Sequence, residues 1–235
     1  MTQLGSAVLV VFSVVSVATA DITWYTDQAE FEAAATAAGL SFFELEDYEE
    51  CTLPPNSITT LNDPLAPGVP NESFPAGMTG VSDMIVQSNL LAGSPDHPNP
   101  RGSHGLNSLS VGFFGASSDG VVSNYFVDSH DLDFYDGAEK RAVGFNTLTF
   151  LGGTTVEIRA YGVNEVFLGM TTVGADPGGS FFVGVITADG DQLIGRINVF
   201  DDPYAAEGAD NIQTWIPEPA SLALLALGGL LIRRR

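Results

Sequence analysis

Apolar and polar positions alternate in short runs along much of this chain. Between Leu106 and Trp215 the runs become regular: Leu106–Phe114, Val121–Val127, Leu132–Tyr135, Ala142–Phe150, Thr155–Tyr161, Val166–Val173, Phe181–Thr187, Leu193–Phe200 and Ile212–Trp215. They are rich in β-branched and aromatic residues, and the gaps hold glycine, aspartate or asparagine, so each run predicts a strand bounded by turns. Gly152-Gly153 and Ala188 to Gln192 are expected hairpin turns.

The first half is less regular. Ile22–Tyr25 predicts a short strand, and Asp27 followed by Glu30 marks a helix N-terminus. Phe31, Ala34, Ala35 and Ala38 keep helical spacing until Gly39 stops it. Leu40–Glu46 then predicts a strand with Phe43 and Leu45 on one face and Glu44 and Glu46 on the other. Pro54, Pro55, Pro64, Pro67, Pro70 and Pro75 make the next stretch mostly loop, with short edge strands such as Ser57–Leu61. Asp83–Val86 predicts another short strand, and Gly93–Gly105 a second proline-rich loop. About ten strands, one helix and no fixed repeat predict an all-β domain, an antiparallel β-sandwich of the jelly-roll kind.

Both ends stand apart from this domain. Ala7 to Val17 is an apolar run closed by Ala18-Thr19-Ala20, an A-x-A pattern that predicts a secretory signal helix over 1–20, cleaved after Ala20. Met1 to Ser6 carries no Lys or Arg, which departs from the usual signal. At the other end Pro217-Glu218-Pro219 precedes an apolar run, Ala220 to Ile232, and the chain closes on Arg233, Arg234 and Arg235. A helix over that run would partition into lipid with its arginine flank on the cytoplasmic side. Its thirteen residues reach roughly 20 Å against a hydrocarbon core of about 30 Å, which suits a temporary hold. The alternative is an ordinary short tail anchor.

This order of tripeptide, apolar helix and terminal arginines resembles the PEP-CTERM sorting signal. The resemblance implies an exosortase-type sorting peptidase as partner, with Pro217, Glu218 and Pro219 as the motif it reads. It divides the chain into a signal peptide (1–20), a β-sandwich ectodomain (21–214) and a sorting tail with its transmembrane helix (215–235). It implies export, membrane association in transit, and a final place at the cell surface or in the extracellular matrix.

The charge fits that destination. The chain carries −21; without Glu218 and the three terminal arginines, 28 acidic residues face 5 basic ones, a net of −23. Such a surface repels nucleic acid and anionic membranes and attracts divalent cations. Cys51 is alone, so no internal disulfide staples the fold. No G-x-S-x-G elbow, Walker A loop, H-E-x-x-H or dinucleotide fingerprint is present. His97, His104 and His130 lack zinc-site spacing. The expectation is a module without catalysis. The alternative is a secreted glycosidase or esterase carrying the same tail, because abundant carboxylates supply acid pairs at any chosen spacing.

Ala142-Val143-Gly144-Phe145, Thr155-Val156-Glu157-Ile158, Phe181-Phe182-Val183-Gly184-Val185, Ile194-Gly195-Arg196-Ile197 and Ala209-Asp210-Asn211-Ile212 succeed one another in an order similar to ectodomains borne by such tails. Those look like jelly rolls of the carbohydrate-binding-module type. The resemblance implies a structural calcium between an early Phe-Glu strand, here Phe43-Glu44, and Asp210-Asn211-Ile212, with Glu44 and Asp210 as charged ligands. It also implies a surface polysaccharide as partner, stacked on aromatics drawn from Trp24, Trp215, Tyr125, Tyr135 and Tyr204. Asp131 and Asp133 sit in a stretch that fails the EF-hand spacing, and strand alternation makes them solvent-side partners of Leu132 and Phe134.

Overall fold

Runs of strand-forming residues must find partners for their backbone groups, and here they find them in two antiparallel sheets. The protein's structure, a computed structural model, describes residues 21–54, 57–62, 64–88, 106–110, 120–125, 129–134, 140–149, 155–163, 165–174, 180–188, 193–200 and 206–218. In chain order these form β1 (Ile22–Tyr25), α1 (Gln28–Ala37), β2 (Leu40–Glu46), β3 (Ile58–Thr60), β4 (Met84–Ser88), β5 (Leu106–Ser110) and β6 (Gly120–Tyr125). They continue with β7 (His130–Phe134), β8 (Ala142–Thr149), β9 (Val156–Gly162), β10 (Phe167–Val173), β11 (Ser180–Thr187), β12 (Ile194–Phe200) and β13 (Ala206–Pro217).

The larger sheet has eight strands in the order β1-β11-β8-β13-β6-β5-β3, with β2 also on β13; the smaller runs β10-β9-β12-β7-β4. From β7 onward every connection except β9 to β10 crosses between the sheets, the winding of a double-sheet β domain. Residues spaced by two supply the core between them. Val143, Phe145, Val183, Val185 and Ile212 face Leu132, Ile158, Ala160, Ile197 and Val199, all fully buried. The proline-rich stretch is irregular, as expected, yet it closes this core with Tyr48, Leu61, Leu65, Phe74, Met78 and Val81.

A second, smaller core lies on the outer face of the large sheet. There Phe31 and Ala35 of α1 pack on Leu40, Ala142, Phe182, Ile186 and Trp215. Asp27 caps the helix by accepting from the Glu30 amide at 2.9 Å. The helix can approach because Gly144 and Gly184 are paired across β8 and β11. A Cβ at Gly184 would sit 2.3 Å from Phe31 Cδ2.

Three expectations change. The described strands number thirteen rather than about ten. The last one runs over twelve residues, Ala206–Pro217, rather than Ile212–Trp215. Its first half carries few large apolar residues and is held by pairing on both sides, with β6 and β8, which no single-segment pattern encodes. Finally, the faces of β2 are shifted by a bulge. Trp215 pairs with Phe42 and Thr214 with Glu44, leaving Phe43 as the extra residue. The expected signal helix (1–20), the Gly152-Gly153 turn and the apolar tail helix lie outside the described residues. Among the described residues no helix is long and apolar enough to cross a membrane.

Candidate functional site

The bulge at Phe43 decides what the large sheet presents outward. After it, Phe42 and Leu45 line the same groove as Asn211, Gln213 and Trp215 of β13, with Asn146 of β8 beside them and Gln28 and Glu32 of α1 forming the opposite wall. The groove is open and encloses about 550 Å³. Phe42 is 51% exposed, and its ring meets Trp215 edge-on, centroids 5.8 Å apart. The indole is held from below by Phe31 at 6.2 Å, and its Nε1 donates to Gln213 Oε1 at 3.1 Å.

Asn211 reaches the groove because its backbone is left-handed, φ 51°, at the irregularity between Asp210 and Gln213 in the β13–β8 ladder. Asparagine tolerates that conformation better than most residues. Gln28 Nε2 donates to Glu32 Oε1 at 2.8 Å, fixing the helix wall. Among the described residues the lining therefore offers two aromatic rings, four side-chain amides, one carboxylate and no cation. Such a surface can stack on an apolar ring face and exchange hydrogen bonds with hydroxyls.

The sorting motif begins where this groove ends. β13 runs from Asn211, Gln213 and Trp215 straight into Pro217, which pairs with Leu40. The Glu218 amide then donates to Gly39 O at 3.1 Å. Pro217 and Glu218 thus belong to the folded domain, whereas Pro219 and Arg233 to Arg235 lie outside the described residues, as do Ala18 and Ala20.

The inward face of β2 carries acids. Glu44 accepts from the Ser82 amide and hydroxyl at 3.2 and 2.7 Å. Glu46 is fully buried and accepts from the amides of Tyr48 and Gly80, each at 3.0 Å. Only glycine fits at position 80, because a Cβ there would lie 2.0 Å from Leu45 O. Burial, then the charge of Glu50, pushes the Glu46 carboxyl up to about 7. Glu46, Asp47 and Glu50 bring carboxylate oxygens within 4.8 Å of one another. Tyr48 Oη, buried beside them in the chain, has no hydrogen-bond partner among the described residues, and burial followed by Glu46, Asp210 and Glu50 raises its pKa well above the usual phenol value.

β2 and β13 are neighbours, as a shared calcium requires. Glu46 pairs with Ile212 and Glu44 with Thr214, and among the described residues neither Glu44 nor Asp210 joins the cluster of Glu46, Asp47 and Glu50. Asp210 is fully buried and its carboxylate accepts from the Asn211 amide at 2.7 Å.

Other residues are placed as follows. Asp131 is not on the solvent side: it is fully buried and accepts from Arg196 Nη1 at 2.9 Å and Asn198 Nδ2 at 2.7 Å. Alternation put it on the correct face but could not show that the face is covered. His130 is buried as well; burial, opposed by Asp131, lowers its pKa to about 4. Trp24 packs against the inter-sheet core, and Tyr125 lies on β6. Tyr135, Tyr204, His97 and His104 are outside the described residues. Among the described residues, Trp215 is the one of the aromatics proposed for stacking that lines the groove, and it is largely buried there. Phe42 and the four amides had no signal in the linear pattern.

Residues 216–235 match the PEP-CTERM protein-sorting motif. No curated protein sequence matches the chain. Among solved structures, TmCBM61 in complex with beta-1,4-galactotriose is 12% identical and has a TM-score of 0.37, covering 58% of this chain and 90% of its own. A mutant of a family 29 carbohydrate binding module is 9% identical with a TM-score of 0.35, covering 75% of this chain and 92% of its own. The enzymatically active domain of bacteriophage CBA120 tailspike protein 4 is 12% identical with a TM-score of 0.28, covering 75% of this chain and 19% of its own.

Proposed function

We propose that this chain is an exported, exosortase-sorted protein of the cell surface or extracellular matrix, whose β-sandwich binds a neutral polysaccharide without catalysis of its own. The observation that carries the reading is the groove beside Phe42 and Trp215. Phe42, half exposed against the buried Trp215 indole, suits the apolar face of a sugar ring, and the side-chain amides of Gln28, Asn146 and Asn211 suit hydroxyl groups. Among the described residues no cation lines the groove, and with a net charge of −21 on the chain this favours a neutral glycan over an anionic one.

The rival reading is a secreted glycosidase or esterase, and in its glycosidase form it needs two facing acids at a glycosidic bond. The groove lining supplies one, Glu32, already bonded to Gln28. In operation the signal segment directs export, and the apolar tail holds the product in the membrane while a sorting peptidase reads Pro217-Glu218-Pro219. The sandwich then remains in the matrix, held through its groove. Affinity electrophoresis of the full chain against neutral and anionic polysaccharides, with a parallel assay for released reducing ends, tests this. Retardation by a neutral polymer without hydrolysis is expected. No retardation by any polymer, or release of reducing ends, contradicts it.

A structural calcium is a second reading, favoured by the converging oxygens of Glu46, Asp47 and Glu50. These are hard donors of the type calcium takes, and a cation would offset the burial and the repulsion from Glu50 that push the Glu46 carboxyl up. Its contribution would be to tie the turn after β2 to residues 79–80, where Glu50 accepts from Thr79 and Glu46 from Gly80.

A further inference from the structure

The chain contains a single lysine, Lys140, and it is fully buried. A lysine normally keeps its ammonium in water, so a sole lysine placed in the interior calls for a chemical reason. Its Nζ is in direct contact with Oδ2 of Asp83, itself 6% exposed. The rings of Phe134 and Phe43 flank the ammonium, centroids at 5.2 and 5.8 Å. Asp83 Oδ1 has no hydrogen-bond partner among the described residues. Asp83 is the one acceptor of the ammonium among the described residues. A buried pair with so few supporting bonds bears the desolvation of both charges.

We propose that Lys140 and Asp83 condense to an intramolecular isopeptide bond. The hydrogen bond between them passes one proton from Nζ to Oδ2, leaving a neutral amine against a neutral carboxylic acid. The Nζ lone pair attacks Cγ, and a C–N bond forms as the C=O π bond opens. The C–Oδ2 bond then breaks, and its oxygen leaves as water, carrying the transferred proton and a second one from Nζ. Ammonium and carboxylate thus become one secondary amide and one water, with no oxidant or activated carrier. The fold supplies what free lysine and aspartate lack: fixed contact and a dry, ring-lined site. The product removes two buried charges.

The position explains what such a bond would do. Asp83 immediately precedes β4, the edge strand of the small sheet. Lys140 stands where the chain passes between layers: its carbonyl accepts from Ile194 at the start of β12, and the next amide, of Arg141, donates to Trp215 O on β13. A covalent link would fasten the edge of the small sheet to that crossover. It would close a loop spanning 57 positions in a chain whose one cysteine cannot form an internal disulfide.

Peptide mapping of the folded, purified full chain tests the bond. Trypsin cuts after Arg101, which separates residue 83 from residue 140 unless they are linked. After denaturation and digestion, the expected product is a branched peptide containing both residues, lighter by one water than its two parts and uncut after Lys140. Asp83→Asn should form the same amide with loss of ammonia instead, and Lys140→Arg should yield separate peptides. Because the first readout is taken on the wild-type chain, poor folding of either variant leaves it intact. Recovery of two separate wild-type peptides with unmodified masses overturns the proposal and leaves an ordinary buried ion pair.

Discussion

The amide of Glu218 donates to the carbonyl of Gly39 at 3.1 Å, so the sorting tripeptide starts inside the sandwich rather than on a stalk below it. Gly39 makes this possible by turning from α1 into β2 at φ +70°. No atom lies within 4 Å of a Cβ built there, so the cost of Gly39→Ala is conformational only. It should be about 1–2 kcal/mol, read from denaturant unfolding, with faster hydrogen exchange at the Glu218 amide. An unchanged midpoint would mean that this turn does not set the contact. A flexible Gly-Ser insertion after Ile216 should also speed tail processing, because it frees the motif from β13.

The helix wall of the groove depends on the glycine pair beneath it. Gly184→Ala places a methyl 2.3 Å from Phe31 and must displace α1. Overpacking of this kind costs about 1–3 kcal/mol. Since α1 carries Gln28 and Glu32, glycan affinity should fall together with stability. A variant that loses stability but binds normally would separate the helix from the site.

Much of this architecture is legible in the linear pattern. The strands that pair into the two layers, the Asp27 cap and the Gly39 stop follow from period, β-branching and turn residues, which act locally. What the pattern misreads is set by partners. The bulge at Phe43 exists only in pairing with β13, and it is what turns Phe42 toward Trp215 while Glu46 goes inward. A strict alternation assigns the same residues to two clean faces. Likewise, the burial of Asp131 depends on Arg196 and Asn198 from a distant strand. The sorting tail is legible because its signal is one of contiguous composition.

Two buried groups give opposite pH dependences. Glu46, raised from 4.5 to about 7, contributes stability that is fully present below about pH 4.5 and lost as pH rises through 7. The full loss is about 3 kcal/mol. His130, lowered from 6.5 to about 4, loses stability as pH falls through that window. The two largely offset one another between pH 4.5 and 6.5, and above pH 6.5 Glu46 acts alone. Calcium-free protein should therefore lose stability from pH 6.5 to 7.5, and Glu46→Gln should flatten that slope whatever its absolute stability. Calcium should raise the melting temperature of the wild type most at the upper end of this range. A melt unchanged by calcium at pH 7.5 removes the ion from the account.

Glycan binding through the groove is the central claim, and Phe42 is its most direct probe because the ring is half exposed and its loss leaves both cores intact. The decisive measurement is calorimetric titration of the full chain and of Phe42→Ala with the neutral polysaccharide that retards the wild type most. Binding should weaken roughly tenfold, about 1.4 kcal/mol, with an unchanged melting temperature. Equal affinity of the two proteins would place the ligand elsewhere and contradict the account.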